Sequence, residues 1–86
     1  MKGSVNMKVT KKVLRMKVEY LNYVTDRKGY EKYSLNYGYG GVKIVVGTND
    51  KGGTADISLR GTKTEIGNIL DTLLMFYQNE LDRARS

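Results

Sequence analysis

One stretch limits what this chain can fold into more than any other: Thr62 to Arg85. Ile66, Ile69, Leu70, Leu73, Leu74, Tyr77 and Leu81 recur there at helical spacing and form one apolar stripe. Thr62 and Glu65 stand just ahead of the stripe and match a capping box, in which the Thr hydroxyl and the Glu carboxylate each take a free amide of the first turn. Glu65 at the start and Arg83 and Arg85 at the end suit the helix dipole. A helix over about 63–84 is therefore expected. At ~1.5 Å per residue it is long enough to lie across a small sheet and close its core.

The rest of the chain reads as strands. Leu14, Met16, Val18 and Tyr20 alternate with Arg15, Lys17 and Glu19, whereas Val5, Met7 and Val9 alternate in the opposite phase. A strand whose inward face changes parity needs a bulge or break, here near Lys12-Val13. Met7 is as good a natural start as Met1. Asp26-Arg27-Lys28-Gly29 suits a hairpin turn. Tyr33, Leu35, Tyr37 and Tyr39 share one face of a return strand, and the nearly continuous apolar run Val42 to Val46 is a central strand. Ala55, Ile57 and Leu59 alternate in a last strand. The expected fold is α+β: a four-stranded antiparallel meander, its first strand bulged or split, with one C-terminal helix packed on one face. A single domain over 1–86 is expected, with strands at about 7–24, 30–39, 42–47 and 54–60.

Composition narrows the chemistry. The 86 residues include no cysteine and no histidine, so a thiolate site and the commonest general base and metal ligand are missing. No Ser or Thr has a histidine to activate it, and Asn49-Asp50 with Asp56 are too few for a calcium loop. Gly38-Tyr39-Gly40-Gly41 leads into a strand and lacks the Lys-Ser/Thr of a phosphate-binding loop. These absences argue against an enzyme and against a cofactor or metal. No apolar run approaches the ~18 residues of a membrane span, so a soluble, intracellular protein is expected.

Charge points to a partner. The net charge is +6; residues 1–60 carry twelve basic and five acidic side chains, residues 61–86 three and four. The excess lies on the expected sheet. Strand alternation places Arg15, Lys17, Lys32, Asn36, Lys43 and Arg60, with Ser34 and Ser58, on the face away from the helix. That face is either an ordinary solvated surface or a cationic platform for a phosphate-bearing ligand. Seven of the eight aromatic residues are tyrosine, and Tyr39, flanked by glycines, is a candidate to stack on a base. Met75 and Phe76 widen the helix's apolar band and mark a candidate interface for self-association.

In size, in its lack of Cys, His, Trp and Pro, and in its strand-rich order with a terminal helix, the chain resembles the small phage-encoded proteins that block bacterial defence. Those include inhibitors of CRISPR nucleases and oligomeric sponges that sequester nucleotide signals. The likeness rests on overall make-up and carries over no functional position. It implies a non-enzymatic, oligomeric binder of a phosphate-bearing nucleotide in the cytoplasm of a bacterial host cell. The alternative is a basic interaction protein that occludes a nucleic-acid-binding enzyme, or binds nucleic acid through its basic face; the expected partner is thus an anionic ligand or an acidic protein surface.

Overall fold

The computed structural model of the chain describes residues 9–85. Helix α1, Lys11–Thr25, opens at Thr10, whose hydroxyl accepts the Val13 N–H at 3.2 Å. Leu14, Val18, Leu21 and Asn22 are its buried residues. This helix replaces the strand expected at 7–24. Leu14 to Tyr20 fits both periods, since Leu14, Met16, Val18 and Tyr20 alternate while Leu14, Val18 and Leu21 follow a helical repeat. Only the helix buries Leu21 beside Leu14 and Val18, and Met16 and Tyr20 are left 57% and 48% exposed. No bulge is needed at Lys12-Val13, because the first turn of α1 lies there. Positions 7 and 8 of the expected strand, and Met7 as a start, lie outside the described residues.

Asp26 stops α1 in the left-handed conformation (φ 55°), with its N–H turned back to the carbonyls of Asn22 and Tyr23. The Asp26–Gly29 segment therefore caps a helix and does not close a hairpin. A short 3₁₀ turn, Gly29–Glu31, leads into β1, Tyr33–Gly38. Then come β2, Gly41–Gly47, β3, Thr54–Asp56, and α2, Lys63–Arg85. The class is α+β as expected, with a three-stranded antiparallel sheet in the order β1-β2-β3 and two helices. The last strand ends at Asp56, short of the expected 60, because the N–H groups of both Ile57 and Ser58 turn to one acceptor, the Ile44 carbonyl. Two successive donors on one carbonyl break the alternation a ladder requires.

The hairpin register pairs Tyr33 with Val46, Leu35 with Ile44 and Tyr37 with Val42. These six share the face on which both helices pack. The core joins Leu14, Val18 and Leu21 of α1, Tyr33, Val42 and Ile44 of the sheet, and Ile66 and Leu70 of α2. The α2 capping box forms as its sequence requires: Glu65 Oε1 accepts the Thr62 N–H at 2.8 Å, and Thr62 Oγ1 accepts the Glu65 N–H at 3.1 Å. The helices run side by side in the same direction, tied by the Lys17–Asp71 ion pair and by the Tyr20 hydroxyl on Gln78. Tyr77 packs against this core, and its pKa is raised above the ordinary value by hydrogen bonding with Tyr33 and then by burial. One backbone crossing depends on glycine: at Gly41 (φ 126°) a Cβ would stand 2.2 Å from the Gly61 carbonyl oxygen.

Candidate functional site

The one-face cationic platform expected from strand alternation does not form, because Arg15 and Lys17 lie on a helix. The structure takes Arg15 and Lys17 onto α1 but keeps Asn36, Lys43 and Arg60 together on the sheet face away from the helices, where internal partners hold both cations. Lys17 pairs with Asp71 between the helices, and Lys43 pairs with Asp56 across β2 and β3 at 3.0 Å. The Arg60 guanidinium lies over the hairpin and donates to the Asn36 carbonyl (3.0 Å), the Gly41 carbonyl (3.1 Å) and Asn36 Oδ1 (2.8 Å). Gly38 leaves room for it; a Cβ there would come 3.0 Å from Arg60 Nη1. Arg60 and Asn36 thus staple the segment between β3 and α2 to the hairpin end. Tyr39 projects fully from the hairpin tip. Met75 and Phe76 are 67% and 57% exposed. Met75 follows Asp71 on the α1 side of α2, whereas Phe76 follows Ile69 and meets Tyr77 edge-on.

Arg15 and Lys32 do come together, with partners that strand alternation did not suggest. They line a groove of about 460 Å³ between α1 and the outer edge of β1. Lys11, Lys12, Arg15, Glu19 and Asn22 form its helical wall; Lys32, Tyr33, Ser34, Leu35 and Tyr37 form the strand side. The side chains of Lys12, Arg15 and Lys32 make no ion pair or hydrogen bond among the described residues, and Lys11 rests 4.9 Å over the Tyr37 ring. Four cations therefore face one carboxylate, Glu19. In a groove walled by protein such an imbalance focuses a positive potential. The missed signal was the run Lys11, Lys12, Arg15 and Glu19, which falls on one flank once Leu14, Val18 and Leu21 are read as a helical stripe.

Asn22 fixes the width of this groove. Its carboxamide is buried and bonds both backbone groups of one strand residue: Asn22 Nδ2 donates to the Tyr33 carbonyl at 3.0 Å, and the Tyr33 N–H donates to Asn22 Oδ1 at 2.7 Å. The edge strand is thus held against α1 at its first residue and stands open beyond it.

Among the described residues no group of three or more His, Cys, Asp or Glu side chains could hold a metal ion, and no helix is long and apolar enough to cross a membrane. No family model matches the chain, and no curated protein or solved structure matches it.

Proposed function

We propose that this protein is a non-enzymatic binder of a phosphate-bearing nucleotide, held in the groove between α1 and β1. The observation that carries this reading is the convergence of Lys11, Lys12, Arg15 and Lys32 on one hollow of 460 Å³ against a single acid. That volume suits a small ligand. Arg15 offers phosphate two parallel hydrogen bonds, and the lysines act as point charges. A protein that holds such a ligand without turning it over lowers its free concentration. This is the sequestering role implied by the resemblance to phage anti-defence proteins, acting in the cytoplasm of a bacterial host.

Calorimetry with cyclic nucleotides and short oligonucleotides, at two salt concentrations, tests the reading. Wild type is expected to bind a small nucleotide with little salt dependence. Arg15→Ala is expected to weaken that binding ~10-fold or more, since hydrogen bonds to charged groups contribute ~1.5–3 kcal/mol. Lys32→Ala should weaken it less, and Lys51→Ala, in the loop between β2 and β3, should change nothing. Salt-steep binding confined to oligonucleotides would replace this reading with a nucleic-acid platform. No binding of either class at low salt would remove it.

Self-association is part of the same proposal. Met75 is exposed on the α1 side of α2, whereas Phe76 shares the Ile69 side, and Ile57 and, most of all, Leu59 at 90% exposure are further exposed apolar side chains. Ile57, Leu59, Ile66 and Ile69 line a shallow hollow beside the uncovered strand β3. A small domain gains stability by covering such a seam with a second copy. Sedimentation is expected to show a homodimer or larger assembly that Phe76→Asp converts to monomer. A lone 9.7 kDa species at high micromolar concentration would remove this part.

A further inference from the structure

We infer that the open edge of β1 reads the base of the bound nucleotide through backbone groups of Leu35 and Tyr37. The inference rests on the nucleotide reading of the groove and names the part of the ligand that gives selectivity.

Backbone alternation supplies the open edge. In an antiparallel pair, successive residues turn their N–H and C=O alternately toward the partner strand and away from it. Lys32 faces β2, since its carbonyl accepts the Gly47 N–H at 3.2 Å. Tyr33 faces away, since both of its backbone groups are taken by the Asn22 side chain. Ser34, Asn36 and Gly38 then face β2, and Leu35 and Tyr37 face outward into the groove they line. Their outward N–H and C=O groups have no protein partner among the described residues.

The chemistry of the missing partner is already displayed at Tyr33. There a planar carboxamide, one donor beside one acceptor, closes a two-bond ring with a single residue's backbone. The hydrogen-bonding edge of a nucleobase carries the same planar donor–acceptor pair. A base lying past Asn22 can repeat that ring at Leu35 or at Tyr37, with its phosphate reaching Arg15, Lys12 or Lys32. An added peptide strand fits worse. Asn22 blocks the edge at Tyr33, and β1 ends at Gly38, so only two residues are open, ~7 Å apart. Strand addition draws its affinity from a longer row of main-chain bonds. Self-pairing of two β1 edges would also bring two sets of unpaired cations together.

Ribose 5-phosphate keeps the phosphate and sugar and lacks the base, so it separates this inference from the reading beneath it. Binding of the common ribonucleoside 5′-monophosphates and of ribose 5-phosphate is measured by calorimetry, with amide shifts followed by NMR. At least one nucleotide is expected to bind ~10-fold tighter than ribose 5-phosphate, as two hydrogen bonds in a sheltered groove allow. The Leu35 or Tyr37 amide should move on adding that nucleotide and stay in place with ribose 5-phosphate. Equal affinities, or an unmoved edge, would overturn base reading while leaving the cationic groove as a phosphate site. If neither compound binds, both readings fall. Binding of an acidic peptide in their place, with the same amides shifted, would assign the edge to strand addition and overturn the nucleotide.

Discussion

Leu70→Ala is expected to remove most of this protein's stability. Leu70 is fully buried in the N-terminal half of α2, in the cluster that also holds Leu14 and Leu21 of α1 and Ile44 of β2. Truncation there leaves a cavity bounded by two helices and a sheet, none of which can collapse into it without losing its other contacts. Such a change costs ~2–5 kcal/mol. A domain of this size has a total stability near the low end of ~5–15 kcal/mol. Leu73, one turn away and only half-buried, should cost less when replaced by alanine. Urea denaturation followed by circular dichroism measures both. An unaltered midpoint for Leu70→Ala would show that the core lies elsewhere.

Asn22→Ala should be nearly as damaging, for a different reason. The Asn22 side chain is 9% exposed and, among the described residues, alone partners the outward N–H and C=O of Tyr33. Alanine would leave both backbone groups without a partner in a buried place, at ~1–3 kcal/mol for each group not reached by water. Asn22→Asp is expected to fall between. Its carboxylate can still accept the Tyr33 N–H but turns a lone pair toward the Tyr33 carbonyl. Denaturation gives the loss, and amide exchange at Tyr33 locates it: this proton should exchange faster in Asn22→Ala while the Ile44 amide, across the sheet, keeps its order relative to other core amides. Wild-type stability in Asn22→Ala would mean that the bonds contribute nothing. The same variant should loosen the groove, since Asn22 holds the edge of β1 against α1.

The parts of the fold legible in the sequence were those that local chemistry settles. The α2 stripe, the Thr62–Glu65 box and the hairpin from Tyr33 to Gly47 need only near neighbours and short turns. α1 was misread because Leu14 to Tyr20 is too short to separate a period of two from one of 3.6. The separating signal lies just past that window. Leu21 follows Tyr20 directly and breaks alternation, and Thr10 supplies a cap. With the helix in place, the Leu14, Val18 and Leu21 stripe and the cationic flank beside it both follow.

The sequence by itself determined the excess of positive charge, the missing chemistry of Cys and His, and the helix that closes the core. Tertiary structure alone decided which cations remain available. Lys17 meets Asp71 across 54 residues of chain, Lys43 meets Asp56, and Arg60 turns onto Asn36 and Gly41. No local pattern encodes those pairings, because they depend on how the helices and strands cross. A charge becomes available for a ligand only when folding leaves it without an internal partner. Here Lys12, Arg15 and Lys32 are left so, on one side of the molecule, where an edge strand also presents open backbone groups.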